Sequence, residues 1–158
     1  EFARQLLEKQ RARFTYYVSE KQFKNYAKKA MDVGGVSPTE TLYVFLETRL
    51  DNAVYRMGLA PTRQAARQMV SHGHILVNAH KVKSPSFSVS KDDVISIRLG
   101  SRGSTLFSAL PEKFKEFKSP DWLSFDVEKL EGRVVALPKY DRSLHHFDLA
   151  PVLEYYSR

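Results

Sequence analysis

The chain has 158 residues, 25 Lys and Arg against 18 Asp and Glu, and no cysteine, giving a net charge of +7 and a pI near 9.6. That length suits one domain or two small ones, and the lack of cysteine excludes disulfides, thiolate catalysis and Cys-ligated metal within these residues. No apolar run approaches the roughly 18 residues that cross a bilayer, and Glu1-Phe2-Ala3-Arg4 does not open a secretory signal.

A basic, soluble, intracellular protein is therefore expected, and the absence of an initiator Met suggests that upstream elements are missing. Residues 4–14 place Leu6, Leu7 and Phe14 among Arg4, Lys9, Arg11 and Arg13, which predicts a basic helix ending near Thr15. Ser19 with Gln22 reads as a capping box. Behind it, Phe23, Tyr26, Ala27, Ala30 and Met31 share one helical face, while Lys21, Lys24, Lys28 and Lys29 occupy much of the rest. Gly34-Gly35 breaks that helix. Ser37-Pro38-Thr39-Glu40 is a stronger start signal. Leu42, Leu46, Leu50, Val54 and Met57 then predict one continuous helix of about 20 residues, stopped by Gly58. Thr62 caps a shorter helix through Ser71, with Ala65, Ala66, Met69 and Val70 facing inward and Gly73 ending it.

The hydrophobic period then changes from helical to alternating. Ile75-Leu76-Val77, the alternation around Phe87 and Val89, and Ile95, Ile97 and Leu99 after a turn at Lys91-Asp92-Asp93 predict short strands. Gly100 to Ser104 reads as a loop and Glu112 to Lys118 as a charged helix. Trp122, Phe125 and Val134 to Leu137 suggest two strands around a turn at Glu131-Gly132, with Pro138 ending the second. The tail from Asp148 suggests a short helical turn and an extended end. The expected class is α+β: a mainly helical lobe with an inserted small α+β module of two helices and short antiparallel strands.

The excess charge sits in two blocks. Residues 1–36 and residues 62–100 carry +4 each, the segment between them −1, and residues 101–158 balance. Such blocks are an electrostatic footprint for phosphate backbones or anionic surfaces. The second block is the denser in chemistry: Arg63, Arg67, Gln68, Ser71, His72, His74, Asn78, His80, Lys81 and Lys83 fall within 21 residues. Residues 63, 67 and 71 form one polar stripe, followed by a loop of amide, imidazole and ammonium groups. Many donors in register suit phosphate and 2′-hydroxyl contacts.

Other chemistries find less support. His72 with His74, and His145 with His146, lack the further partners of a metal site, so no metal is expected. Neither a nucleophile elbow nor a phosphate loop occurs, so no catalytic residue or cofactor is expected. Arg49-Leu50-Asp51 resembles the catalytic tripeptide of some RNA pseudouridine synthases, but within the long helix Leu50 is a core position and Arg49 and Asp51 face elsewhere. It reads as structural. An RNA-modifying enzyme using this region as its specificity arm is the alternative. The amphipathic aromatic-plus-Lys segment of an interfacial membrane binder is missing.

In order along residues 49–87 stand Arg49-Leu50-Asp51-Asn52, Val54-Tyr55-Arg56-Met57-Gly58, Thr62-Arg63, Ala66-Arg67-Gln68, Val70-Ser71-His72-Gly73-His74-Ile75, Val77-Asn78 and Pro85-Ser86-Phe87. This series resembles the RNA-binding module of the small-subunit ribosomal protein S4 family; shorter versions occur in pseudouridine synthases, a heat-shock RNA-binding protein and tyrosyl-tRNA synthetases. Glu8-Lys9-Gln10 and Glu20-Lys21-Gln22-Phe23 resemble the family's helical region ahead of the module. Trp122-Leu123, Glu131-Gly132 and Glu154-Tyr155-Tyr156-Ser157-Arg158 resemble its end.

The resemblance implies a mainly helical lobe from residues 1–48 with 134–158, and an α+β lobe from residues 49–133 whose module core is 49–112. It implies binding to the 5′ domain of 16S rRNA at a helix junction, nucleation of small-subunit assembly and a contribution to translational accuracy. Neighbouring ribosomal proteins such as S5, and the protein's own mRNA, are the implied partners, in cytoplasmic or organellar ribosomes. The candidate RNA-binding residues are Lys9, Arg11, Arg13, Lys21, Lys24 and Lys28 in the helical lobe. In the module they are Arg49, Arg56, Arg63, Arg67, Gln68, Ser71, His72, His74, Asn78, Lys81 and Lys83. Two departures stand out: the family's further N-terminal segment, sometimes with a Cys-type zinc site, is absent, and its hairpin loop usually reads Asn-Gly where this chain has Asn78-Ala79. Ala at a positive-φ position costs on the order of 1 kcal/mol, so a different turn type is expected.

Overall fold

The computed structural model describes residues 1–33, 37–104, 107 and 117–158, which divide into two compact units. The first comprises Glu1–Glu47 with Pro138–Arg158, and the second Thr48–Leu137. The expected helix over 112–118 lies largely outside the described residues, as does the Gly34-Gly35 break.

The first unit is helical. α1 (Phe2–Tyr16) starts earlier and ends later than the sequence suggests, closing where Tyr17 adopts φ 57. α2 (Glu20–Asp32) has the expected cap, with the Gln22 N–H donating to Ser19 Oγ at 3.2 Å. α3 (Pro38–Glu47) packs on α2. The tail forms a full helix, α6 (Leu149–Tyr156), where a single turn was expected. Asp148 accepts from the Ala150 N–H at 3.1 Å to start it, and Leu149, Val152 and Tyr156 bury one face against α1, α2 and α3. Ala12, Tyr16, Phe23, Ala27, Leu42, Leu46 and Phe147 complete this core. Each such buried large apolar side chain contributes about 1.5–3 kcal/mol.

Polar groups within this unit are satisfied internally. The Tyr16 hydroxyl donates to Glu47 at 2.6 Å, and Glu20 accepts from Lys9 Nζ at 2.8 Å and from the Tyr156 hydroxyl at 2.7 Å. Partial burial works to raise the Glu20 carboxyl, but the Lys9 and Tyr156 hydrogen bonds and the charges of Lys9 and Arg13 hold it below its ordinary value. Burial, then the Glu20 carboxylate, pushes the Tyr156 phenol well up, so it stays a donor.

In the second unit, α4 (Leu50–Arg56) and α5 (Arg63–Ser71) pack together and cover a five-stranded antiparallel sheet. Its strands are β1 (Ile75–Val77), β2 (His80–Lys81), β3 (Val94–Ile97), β4 (Leu123–Asp126) and β5 (Glu131–Val134), in the order β2-β1-β3-β5-β4. Val54, Met57, Ala66, Val70, Ile75, Ile95, Ile97 and Val134 are the centre of its core.

Four sequence expectations are corrected here. The single helix from Pro38 to Met57 is two helices, because Arg49 takes an extended conformation (φ −62, ψ 140). The chain there pairs with a distant segment: the Leu50 N–H donates to Phe87 O at 2.8 Å, Asp51 N–H to Pro85 O at 3.1 Å, and Val89 N–H to Thr48 O at 2.8 Å. The segment around Phe87 and Val89 is accordingly no strand; it makes one isolated bridge, Arg49 to Ser88.

Gly132 also lies inside β5 rather than in a turn. A Cβ there would come within 2.5 Å of the Met57 sulfur and 3.2 Å of Ser124 O, so glycine serves close packing. The turn falls at 127–130, where Asp126 accepts from the Glu128 and Lys129 N–H groups and Leu130 takes φ 52.

Finally, the β1–β2 hairpin retains its two-residue turn despite Ala79. Val77 pairs with His80, and Asn78 and Ala79 take φ 51 and 68, the two positive values of a type I′ turn. Asn78 locks it from both ends: its N–H donates to Val94 O (2.8 Å), its Nδ2 to Asp93 Oδ1 (2.9 Å), and its Oδ1 accepts from the Val94 N–H (2.9 Å). These bonds offset the strain at Ala79.

Candidate nucleic-acid interface

α5 is built to present one polar stripe. Thr62 caps it, accepting from the Ala65 N–H at 3.0 Å, and Ala66, Met69 and Val70 turn inward. Arg67, Gln68, Ser71 and His72 are left exposed. The helix closes on Gly73 at φ 81, with Gly73 N–H donating to Val70 O (3.0 Å) and His74 N–H to Met69 O (3.1 Å). This paired closure is the Schellman motif, and it reverses the chain into β1.

Glycine at that reversal also admits the next part of the surface. A Cβ at Gly73 would lie 3.3 Å from both Lys81 Cδ and Lys83 Cε, so the two lysine stems run together over the glycine backbone. Both residues are exposed. The hairpin therefore brings Lys81 and Lys83 to the C-terminal end of the α5 stripe. Among the described residues, no carboxylate lies within ion-pair distance of Arg67, Lys81 or Lys83. Two such cations at the end of the α5 stripe, with Arg67 along it, make a positive field that an anionic backbone can neutralise.

The other candidates divide by how the fold holds them. Arg63 is half-buried: its Nε donates to Asn52 Oδ1 at 2.9 Å and its guanidinium lies 4.5 Å from the centre of the Tyr55 ring. His74 is anchored, its Nδ1 2.7 Å from Ser101 Oγ and its ring edge-on to Phe107. Asn78 is spent on the turn. Arg56 is half-buried at the end of α4. In the helical unit, Lys21, Lys24 and Lys28 are exposed along α2, Arg11 is exposed and paired with Glu8 at 2.8 Å, and Arg13 is held by Val18 O and Glu20.

Two candidates are not presented to solvent. Lys9 is 5% exposed and ion-paired with Glu20, and Arg49 is 1% exposed. Arg49 reaches back to Asp51 through Nε at 3.1 Å and Nη2 at 3.0 Å. The expectation that Arg49 and Asp51 face away from the core is therefore wrong; they are a buried pair that fastens the helix break. Asp51 is itself 1% exposed.

Sequence reasoning passed over Arg98, Arg102 and Lys118. The Arg98 N–H donates to His74 O at 2.9 Å, which brings the 98–102 segment beside the histidines, and Arg102 Nε donates to Ile97 O at 3.1 Å. Only the β1–β3 pairing reveals this neighbourhood; no local motif marks it.

Both units resemble known proteins. Residues 1–47 match the Ribosomal protein S4/S9 N-terminal domain and residues 48–95 the S4 domain. Small ribosomal subunit protein uS4 of Halothermothrix orenii is 45% identical over the whole of this chain and 76% of its own length. The proteins of the same name from Syntrophomonas wolfei (42%, 75% of its length) and Shewanella loihica (44%, 76%) also align with the whole chain. With both units matched and identity running from end to end, the chain belongs to the uS4 family of small ribosomal subunit proteins.

Proposed function

We propose that the chain is a structural, non-catalytic constituent of the small ribosomal subunit that binds its rRNA. The finer reading is primary recognition of the 16S rRNA 5′ domain at a helix junction, early in assembly, with a contribution to translational accuracy. Its setting is the cytoplasmic or organellar ribosome, beside proteins such as S5, and its own mRNA is a second RNA target. The single observation that carries RNA binding is the convergence of the Lys81 and Lys83 stems over Gly73 at the end of the exposed α5 stripe that bears Arg67, with no carboxylate in ion-pair distance of the three among the described residues.

The chemistry is that of shape recognition. A-form RNA closes its deep groove to side chains, so contacts fall on phosphates and 2′-hydroxyls. Arg67 offers a planar fork for phosphate oxygens, while Lys81 and Lys83 supply point charges within reach of the same backbone. Gln68, Ser71 and His72 add further hydrogen-bond donors along the stripe. Lys21, Lys24 and Lys28 give the helical unit its own basic face. Lys9 and Arg49 take no part in contact; they hold the two folds in shape.

Filter binding of the full chain to a 5′-domain transcript, with tRNA as competitor across a salt series, tests this reading. Tight binding that resists tRNA, with a slope equivalent to several released counterions, is expected. Equal competition by tRNA and collapse of affinity at moderate salt would contradict it.

A further inference from the structure

α1 and α5 close with the same pair of backbone bonds, yet on different residues. At the end of α1 the Tyr17 N–H donates to Phe14 O at 3.2 Å and the Val18 N–H to Arg13 O at 3.3 Å, the pattern that α5 makes around Gly73. The closing residue takes φ 57 in α1 and φ 81 in α5. Glycine or asparagine usually fills such a position, because a Cβ crowds the carbonyl oxygen that follows. In α1 it is a tyrosine, 45% exposed, and three residues earlier Phe14 is 63% exposed. Phe14 is also braced. The Arg13 guanidinium lies over its ring, 4.3 Å from the centre, and is itself fixed by Gln10 Oε1 at 3.1 Å, Val18 O at 3.1 Å and Glu20 at 3.4 Å. One face of the ring is thereby covered and the other left to solvent.

The two rings stand in the most basic stretch of the chain. Residues 9–29 hold seven Lys and Arg and one carboxylate, Glu20, and so carry six of the seven net positive charges. Four residues separate Tyr17 from Lys21, a reach of no more than about 14 Å, and Lys21, Lys24 and Lys28 are exposed along α2. We propose that Phe14 and Tyr17 form a stacking site for an unpaired nucleobase of the bound RNA, with the α2 lysines meeting the neighbouring phosphates. The proposal rests on the RNA-binding reading above and extends it from backbone contact to capture of a base. Every base has a π-face, so an aromatic ring binds it without demanding a sequence, and splayed nucleotides of RNA loops and bulges offer that face. Backbone strain retained at an exposed aromatic is of the kind that clusters at binding positions. Leu7, two turns before Phe14 and 50% exposed, extends the apolar strip in a way that also suits a partner protein's helix, but the concentration of cations around the rings favours a polyanion.

The test measures binding of the full chain to a 5′-domain transcript across a salt series for wild type, Phe14→Leu, Phe14→Trp and Tyr17→Gly, with a circular dichroism melt of each. Phe14→Leu keeps apolar bulk and removes the ring; it is expected to weaken binding about fivefold or more, as loss of one base–aromatic stack does, with the salt slope unchanged. Phe14→Trp keeps a stacking face and the wild-type affinity. Tyr17→Gly relieves the positive φ, so its melt is expected at higher temperature while its RNA binding weakens about fivefold or more, opposite changes that a merely structural tyrosine would not give. If wild type binds and both Phe14→Leu and Tyr17→Gly bind equally well, the base site is overturned while RNA binding stands, and a partner protein's helix becomes the occupant to pursue. Weakening with a shallower slope would assign the loss to displaced cations and also overturn it. Failure of wild type to bind in preference to tRNA would remove the underlying reading itself.

Discussion

Replacing Asp51 by Ala removes one half of the most deeply buried ion pair described in the chain. Its carboxylate accepts from Arg49 Nε and Nη2 at 3.1 and 3.0 Å and from the Asn52 N–H at 2.7 Å, and both charged residues are 1% exposed. Removing one partner leaves a guanidinium buried without its counter-ion, a change that costs about 3–5 kcal/mol. That is a large part of the roughly 5–15 kcal/mol that separates a domain from its unfolded state. The assay is built into the fold: Trp122 is the sole tryptophan, 5% exposed in the core of the same unit, so its emission reports this unit's unfolding. With a urea dependence of about 1–3 kcal/mol per molar, the midpoint is expected to fall by about 2 M. The double variant Arg49→Met/Asp51→Leu, which leaves no orphaned charge on either side of the pair, is expected to lose less than the two single changes summed. A midpoint shift of about 0.5 M or less for Asp51→Ala, or strict additivity in the double variant, would refute the assignment of this pair as the fastening of the helix break.

Three further perturbations follow from local geometry. Ala79→Gly relieves a residue at φ 68; weighed against the freer unfolded chain, stability by Trp122 emission rises by about 0.5–1 kcal/mol, and a loss would mean that the turn is not strained. Gly73→Ala places a side chain at φ 81 and against the lysine stems, so stability falls by about 1–2 kcal/mol and RNA affinity falls with it in filter binding; unchanged affinity would argue against the convergence of Lys81 and Lys83. Glu20→Gln tests the acid limb of the helical unit. Because the folded carboxyl lies below its ordinary value near 4.5, its stabilisation is present above that value and is lost as pH falls through the lower folded one. Circular dichroism melts are expected to show the variant less stable than wild type at neutral pH and equal to it in strong acid, while a constant deficit at all pH values would contradict the linkage.

What the sequence revealed was what depends on neighbours in the chain. The caps at Ser19 and Thr62 and the stop at Gly73 are local devices, each carried by residues within one turn of helix. The stripe of Arg67, Gln68 and Ser71 follows from helical spacing alone. By contrast, the break at Arg49 was hidden because Leu46, Leu50 and Val54 keep their spacing of four straight through it. The interruption comes from backbone partners at Pro85 and Phe87. Gly132 misled for a related reason: glycine commonly marks a turn, yet here it makes room for Met57, while the real turn uses Leu130 at positive φ. Burial of Lys9 and Arg49 likewise depends on Glu20 and Asp51 being brought round in space, and charge composition cannot distinguish a cation so spent from one left for RNA.

The account rests on Arg67, Lys81 and Lys83 acting as one phosphate-binding corner, and the salt dependence of RNA binding by the triple variant Arg67→Ala/Lys81→Ala/Lys83→Ala tests it most directly. The predicted result is a folded protein with wild-type circular dichroism whose affinity for the 5′-domain transcript is lower and whose salt slope is shallower by about two to three. A triple variant with the wild-type slope and affinity would contradict it.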